Sequence, residues 1–262
     1  MYRQSVVVTP TREYADIVAG LSVRAQQVRA HRVDPRDDNL LRIFTDQRAA
    51  ALDPRLLGRT PSGPGKVAAA AERISGLHAA DSDRARVRLQ IVYADLGAPT
   101  SDGWNLYDEL RDQLVTRGVP ANQIRYLHQV GSEAERAALL DDCRTGRVGV
   151  LVTNSRRMPA DLPATAQALH HLDCPLSAND LRRREGRAAT ADGVRVFRYI
   201  TAGSYETRAW QTLDVVAAPR PTSSPAVRAF RPLSDVRADA APPSAAGPVP
   251  GPDADQHLGR HR

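Results

Sequence analysis

The sequence predicts an α/β fold, a three-layer sandwich in which helices cover both faces of a mostly parallel sheet. Three observations support this prediction. Between residues 85 and 217, short apolar runs alternate with amphipathic segments, which is the pattern of consecutive βαβ units. The runs are rich in β-branched residues and apolar along their length, as strands buried on both faces are. Right-handed crossovers between parallel strands then place helices on both sides of the sheet.

Residues 10–82 are predicted to be helical. The segment TREYADIVAGLSVRAQQVRA has the 3.6-residue apolar spacing of an amphipathic helix. Two further helices are predicted for DDNLLRIFTDQRAAAL and GKVAAAAERISGLHAA, with RTPSGPG (59–65) between them as a flexible joint. We therefore expect a helical N-terminal segment over residues 1–82.

The following domain, residues 83–217, contains five predicted strands. They are VRLQIVYADL (87–96), IRYLHQ (124–129), VGVLVTN (148–154), ALHHLD (168–173) and VRVFRYITA (194–202). The helices between and after them are GWNLYDELRDQLVTRG (103–118), SEAERAALLDDCRTG (132–146), NDLRRREGRA (179–188) and SYETRAWQTLDVV (204–216). Ser132 with Glu135 is a capping box, and Ser204 is a predicted N-cap. Ligands of such sheets bind at the carboxyl ends of strands, here the loops after Asp95, Asn154 and Asp173.

The last segment, residues 218–262, is rich in Pro, Ala, Ser and Gly and has few large apolar residues. Such a composition cannot bury enough apolar surface to offset the entropy of ordering. We expect a disordered tail.

Charge and cysteine content narrow the class of protein. The 262 residues carry a net charge of +6 and a single lysine, Lys66, so the basic residues are almost all arginine. An excess of arginine favours an acidic partner such as nucleic acid, although a G+C-rich genome has the same effect on composition. Two cysteines, Cys143 and Cys174, allow no disulfide framework. With no apolar run near 18 residues, we expect a cytoplasmic protein without a membrane partner.

Three motifs suggest chemistry but have better structural explanations. GRTPSGPGKV has Thr60 and Val67 where a phosphate loop needs glycine and Ser or Thr. DELR (108–111) resembles a magnesium-binding acidic box but lies inside an amphipathic helix. His170 and His171 in HHLDC point to opposite faces of a strand, so structural histidines are favoured over a metal site.

The stretch NDLRRREGRAATADG (179–193) follows strand ALHHLD and precedes strand VRVFRYIT. This order resembles the second RecA-like lobe of superfamily-two helicases and translocases. The last motif of that lobe, Gln-x-x-Gly-Arg-x-x-Arg, corresponds here to Arg183, Gly186, Arg187 and Thr190. LQIVYADLGAP and VLVTNSRRM are similar to the strands that open and continue the lobe.

A closer resemblance is to the helicase part of phage- and plasmid-encoded DNA methyltransferase–helicase proteins. It extends over residues 10–217 and is carried by four segments: RVDPRDDNLLRIFTDQRAAALDPRLL, DGWNLYDELRDQL, ALHHLDCPLSANDLRRREGR and VFRYITAGSYETRAWQTL. The resemblance to this group points to DNA rather than RNA as the nucleic acid.

The resemblance implies roles for particular residues. In such proteins a first lobe binds ATP and magnesium, and the second lobe supplies arginines that stabilise charge on the γ-phosphoryl group. Arg187 is the implied catalytic residue, and Arg184, Gly186 and Arg187 are the implied nucleotide-binding residues. Arg156 and Arg157 are candidate contacts to nucleic-acid phosphates, although a solvated loop explains them equally well.

The sequence also departs from the family pattern. It has no phosphate loop and no convincing acidic box, so ATP and magnesium are expected only if a separately encoded ATPase lobe, helicase or methyltransferase completes the site. The final arginine of the motif is Thr190, and PADLPAT replaces a glycine-rich loop after Met158. No resident metal is expected, and we expect no ATP hydrolysis by the chain alone.

Two functional hypotheses follow. The chain is either a nucleic-acid-associated component of an ATP-dependent helicase or translocase, or a non-catalytic binding or regulatory protein, including a degenerate helicase remnant. Under the second hypothesis, Arg184 and Arg187 are surface or ion-pair residues that interact with Glu185 and Asp180.

Overall fold

A sheet of six strands organises the chain in the computed structural model, which describes residues 2–81, 86–100, 103–157, 166–186 and 193–218. The strands are β1 (Tyr2–Val8), β2 (Gln90–Tyr93), β3 (Ile124–Tyr126), β4 (Val150–Thr153), β5 (Ala168–His171) and β6 (Arg195–Thr201). Their order is β1-β6-β5-β2-β4-β3, and every neighbouring pair is parallel. The predicted fold class is therefore confirmed.

Among the described residues, seven α-helices surround the sheet. They are α1 (Arg12–Arg29), α2 (Leu40–Leu52), α3 (Lys66–Ala79), α4 (Leu106–Thr116), α5 (Glu133–Thr145), α6 (Ala178–Glu185) and α7 (Glu206–Ala217). Each lies within or close to a predicted helix, and the capping box of Ser132 and Glu135 is present. The predicted cap of α7 is wrong: Tyr205 is the N-cap residue. Ser204 lies one position earlier, where its Oγ accepts a hydrogen bond from the Glu206 amide at 3.2 Å.

Residues 2–8 form a strand that the prediction of a helical N-terminal segment missed. β1 pairs with β6 over its whole length, from Tyr2 opposite Arg195 to Val8 opposite Thr201. The partner strand β6 lies nearly the whole domain away in sequence, so no local sequence pattern predicts the pairing. A three-valine run is also too short to distinguish a strand from a loop by periodicity.

Alternation along the strands sends side chains to two separate cores. Val92 of β2 belongs to one apolar cluster with Ile74 of α3 and Leu110 of α4. Its neighbours Ile91 and Tyr93 belong to a second cluster with residues of α5. Because α3 and the sheet share the first cluster, the N-terminal helices pack directly on the sheet.

The predicted tail, residues 218–262, lies outside the described residues except for Ala218. Within the described part of the chain, no helix combines the length and apolar character needed to cross a membrane. Both cysteines are free and buried.

His170 is a structural histidine in the first core, as predicted. Its Nδ1 lies 2.9 Å from the Tyr199 hydroxyl and its Nε2 lies 3.1 Å from Gln90 Oε1. His171 faces the other side, where it stacks on Tyr93. Burial lowers the pKa of His170 to about 3 and that of His171 to about 4. Both imidazoles are therefore neutral at physiological pH.

Acid should destabilise the protein through His170. The unfolded chain binds a proton below the ordinary pKa of 6.5, whereas the folded chain resists protonation down to about 3. Stability is therefore full above pH 6.5 and falls as the pH is lowered, by about 1.4 kcal/mol per pH unit for each such histidine. Urea unfolding at several pH values should show a shallower acid slope for His170→Gln. Tyr199→Phe, which keeps the histidine, should keep the full slope; equal slopes for all three proteins would contradict the prediction.

Candidate functional site

Three loops meet at the carboxyl edge of the sheet around one buried arginine. Asp95 follows β2, Ser155 follows β4 and Asp173 follows β5. The Asp95 carboxylate accepts hydrogen bonds from the Ser155 amide at 2.7 Å and the Ser155 hydroxyl at 3.0 Å. The Asp95 amide in turn donates to Asp173 Oδ2 at 2.7 Å. The loops expected to bind ligand are thus joined to one another.

Arg184 of α6 lies at the centre of this arrangement and is 1% exposed. Its Nη2 lies 2.8 Å from Asp95 Oδ2 and 3.0 Å from Asp173 Oδ1. Its Nε donates to Ser155 Oγ at 2.8 Å, and its Nη1 donates to the Asp173 carbonyl at 3.0 Å. The second Nη1 hydrogen faces His171 Nδ1 at 3.4 Å. All five guanidinium N–H groups therefore have a partner in this conformation.

The ionisation of Asp95, Asp173 and Arg184 follows from this geometry. Burial alone would raise the pKa of Asp95, but the Arg184 charge and the hydrogen bonds from Ser155 lower it overall. Burial dominates at Asp173, so the pKa of that carboxyl is raised despite Arg184. Burial would lower the pKa of Arg184, yet the two carboxylates raise it. The guanidinium is a permanent cation enclosed by acidic groups.

The loop after β4 presents Arg156 and Arg157 from a fixed backbone. Asn154 Oδ1 accepts hydrogen bonds from the Arg156 amide at 3.1 Å and the Arg157 amide at 2.9 Å, which is an Asx turn. Arg183 Nη2 donates to the Ser155 carbonyl at 2.9 Å. The side chains of Arg156 and Arg157 are exposed. Together with Arg136 they line an open cavity of about 320 Å³ beside the start of α5. The described start of the loop, residues 154–157, is held by this turn, and its two cations face outward.

Gly186 is required by a close approach at the end of α6. A Cβ atom at this position would lie 2.4 Å from the Arg182 carbonyl oxygen, to which the Gly186 amide donates at 2.7 Å. No carbon–oxygen contact is that short, so a larger residue would have to open the last turn.

Glu185, the neighbour of Arg184, belongs to a second buried network. Its carboxylate accepts from Arg3 of β1 at 2.8 Å and from Arg198 of β6 at 3.3 Å. Arg198 also pairs with Asp214 of α7 at 2.7 Å. Burial would raise the pKa of Glu185, but contacts with His171, Arg3 and Arg198 lower it to about 2.

The proposed ion pairs within α6 are therefore wrong for Arg184. The helix alone would place Glu185 and Asp180 near it, but the guanidinium instead reaches the strand loops and is not on the surface. Asp180 lies 4.0 Å from Arg183. Arg187 and Thr190 lie outside the described residues, as does the segment PADLPAT (159–165).

Sequence reasoning missed the residues that complete these networks. Ser155 accepts from and donates to three partners, but a serine after a strand carries no distinctive pattern.

Lys66 begins α3, and its ammonium lies 2.6 Å from Glu206 Oε1 and 3.3 Å from the Leu172 carbonyl. The position of Lys66 in a glycine-rich segment had only suggested a phosphate loop. In the structure the lysine is buried in an ion pair with Glu206.

Two cations at this edge are already paired within the chain. Arg184 has no free donor, and the Lys66 ammonium is enclosed by Glu206. In the part of the chain that the structure describes, no three His, Cys, Asp or Glu side chains are grouped so as to hold a metal ion.

Known structures share this architecture. The fold is similar to the C-terminal domain of the SWI2/SNF2 ATPase of Sulfolobus solfataricus, with a TM-score of 0.55, 16% identity and coverage of 81% of this chain and 84% of that chain. It is also similar to the C-terminal part of the Fun30 ATPase domain, with a TM-score of 0.58, 11% identity and coverage of 80% and 88%. No protein-family model and no curated protein matches. The chain thus has the α/β fold of these two C-terminal ATPase regions, that of a RecA-like C-terminal lobe.

Arg184→Met should be strongly destabilising, because it leaves Asp95 and Asp173 buried without their counter-ion. Breaking a buried ion pair from one side costs about 3–5 kcal/mol. Arg183→Met is the matched control: the Arg183 side chain is 55% exposed, so its removal should cost roughly 0–1 kcal/mol. Urea unfolding at neutral pH measures both. A similar small loss for the two variants would show that the buried guanidinium does not hold the edge together.

Proposed function

We propose that this chain is a nucleic-acid-associated component of an ATP-dependent helicase or translocase, and that a phosphate-loop lobe, on the same or another polypeptide, completes its nucleotide site. The observation that carries the proposal is the loop arrangement around Arg184. It gives the carboxyl edge of a helicase-type lobe a fixed geometry and leaves Arg156 and Arg157 exposed beside it. The resemblance to methyltransferase–helicase proteins makes DNA the expected nucleic acid.

Arg156 and Arg157 suit contacts to a phosphate backbone. Guanidinium groups bind phosphate oxygens in a bidentate manner, and such contacts hold a strand without reading its sequence. The Asx turn at Asn154 fixes the backbone amides of both residues. Less conformational entropy is then lost on binding than for a mobile basic loop.

On the nucleotide side, the proposal assigns the phosphate contact to Arg187, which follows Gly186 at the end of α6. Arg184 has a different role in this proposal, because its donors are already used within the chain. It acts as a positioning residue that holds α6 against the three loops. ATP and magnesium would be bound chiefly by the partner lobe.

A second candidate function is that of a non-catalytic binding or regulatory protein, including a degenerate helicase remnant. Thr190 in place of an arginine favours this alternative, as do Pro159 and Pro163 in place of a glycine-rich loop. The donors of Arg184 are already bonded to groups of this chain. The carboxyl edge of the sheet is therefore also stable without a bound nucleotide.

The nucleic-acid contacts can be tested by titrating labelled single-stranded DNA at several salt concentrations. The Arg156→Ala/Arg157→Ala double variant should bind more weakly and lose about 1.4 from the slope of log affinity against log salt, roughly 0.7 for each phosphate contact. Arg117→Ala, which removes an exposed arginine at the end of α4, should leave both affinity and slope unchanged. A wild-type slope near zero would remove phosphate contacts from the proposal.

The motor role can be tested by combining the purified chain with candidate phosphate-loop lobes and measuring DNA-stimulated ATP hydrolysis. Arg187→Ala should reduce that activity by a factor of about 10³ or more, the effect of losing an arginine finger. Arg182→Ala, on the exposed side of α6, is the control and should retain activity. Intact DNA binding with no stimulated hydrolysis would favour the non-catalytic alternative.

A further inference from the structure

The helical hairpin formed by α1 and α2 projects from the carboxyl edge of the sheet. Tyr14 near the start of α1 clusters with Ala50 and Ala51 near the end of α2, and the Thr201 hydroxyl at the end of β6 donates to the Ala51 carbonyl at 2.7 Å. From this base, the 18 residues of α1 extend the chain by about 27 Å. The connection over residues 30–39 therefore lies at the far end of the hairpin.

Ion pairs make this far end rigid. Arg24 of α1 donates to Asp38 at 2.7 and 2.9 Å and to Asp46 of α2 at 2.6 Å. The Asn39 side chain caps α2 by accepting from the Arg42 amide at 3.0 Å. The connection is thus held on both sides, so a surface formed by it is present before any partner binds.

The hairpin turns through an unusual backbone conformation at His31. Its φ is 52°, the only positive value at a non-glycine position among the described residues. The His31 amide donates to the Val28 carbonyl at 3.1 Å and the Arg32 amide donates to the Gln27 carbonyl at 3.0 Å, which together form a Schellman motif. Glycine normally occupies this position, and another residue there costs roughly 1–2 kcal/mol. After this turn, residues 32–35 run back across the end of α1.

The returning chain encloses an open cavity of about 580 Å³, which we call the hairpin-tip cavity. Four apolar residues line it: Val28, Val33, Pro35 and Leu40. Leu40 is 45% exposed although it begins a helix. A rigid cavity with an apolar lining, open to solvent, is a typical docking place for an apolar side chain.

The rim of the cavity is cationic. Arg29 and Arg32 line it and are exposed, and neither makes an ion pair with any residue that the structure describes. Asp34, the acidic residue of the lining, is already paired with Arg36 at 2.9 Å. A ligand that brings carboxylates to this rim would therefore find two uncompensated guanidinium groups.

We propose that the hairpin-tip cavity binds an acidic, leucine-bearing segment of a partner protein. An apolar side chain of the partner enters beside Leu40 and Val33, and flanking carboxylates pair with Arg29 and Arg32. A nucleic-acid strand would satisfy the two arginines but leave the apolar lining uncovered, so the lining favours a protein. The proposal goes beyond the nucleic-acid contacts at Arg156 and Arg157 and does not depend on them.

The test uses the full chain and a fluorescein-labelled model peptide in which leucines recur at helical spacing among glutamates. Anisotropy should show saturable binding of this peptide but not of its glutamine-for-glutamate or alanine-for-leucine counterparts. Leu40→Asp and the double variant Arg29→Glu/Arg32→Glu should each weaken binding by about tenfold or more, equivalent to roughly 1.4 kcal/mol.

Two controls locate the effect. Leu41→Asp changes the neighbouring residue, which is 75% exposed and does not line the cavity, so it should bind the peptide normally. Arg12→Glu reverses a charge at the opposite end of α1 and should also bind normally. Methyl NMR of the wild-type chain should show peptide-induced shifts at Val28, Val33 and Leu40, which reports docking even if a variant folds poorly.

Other outcomes would overturn the proposal. They are equal binding of all three peptides, an equal loss in Leu41→Asp and Leu40→Asp, or shifts at the methyl groups of these three residues with single-stranded DNA but not with peptide. The Arg156→Ala/Arg157→Ala variant should bind the peptide normally. Failure at the hairpin tip is therefore distinguishable from failure of the proposed nucleic-acid contacts.

Discussion

The carboxyl edge of the sheet depends on one buried ion cluster, centred on the guanidinium of Arg184. Taking a charge out of water costs several kcal/mol unless its partners are well placed, and here two carboxylates, a carbonyl and a hydroxyl surround it. Those groups belong to the loops after β2, β4 and β5. The cation and the loops therefore stabilise one another, because neither the arginine nor the paired aspartates could remain buried alone.

The adjacent residue in α6 extends this constraint across the rest of the sheet. Arg184 reaches the carboxyl edge, whereas Glu185 reaches β1 and β6 through Arg3 and Arg198. Two successive residues with opposite charges thus join the short helix to five of the six strands, directly or through their loops. Gly186 follows at once and ends the helix where a Cβ atom would not fit. The segment that contains Arg187 therefore begins from a firmly held point.

A shared fold does not by itself assign chemistry, and the similarity to two ATPase C-terminal regions at 11–16% identity shows the architecture alone. The described cations of this chain fall into two groups. Arg184 and Lys66 are enclosed by carboxylates inside the domain, whereas Arg156 and Arg157 are exposed just after the turn at Asn154. Arg29 and Arg32 are exposed beside an apolar cavity. Enclosed cations organise the fold, and the exposed ones are available to partners.

Within the described residues, the sequence by itself determined strands β2 to β6, the helices α1 to α7 and the cap at Ser132, because each depends on periodicity or on side chains within one turn. It also indicated that His170 and His171 face opposite sides, since alternation along a strand is local. Only the tertiary structure decided that residues 2–8 form an edge strand and that Arg184 is buried between Asp95 and Asp173. Partners such as Arg3 and Glu185 are 182 positions apart in the chain. No local pattern encodes which distant carboxylate will meet a given guanidinium, because the order of the strands makes that choice.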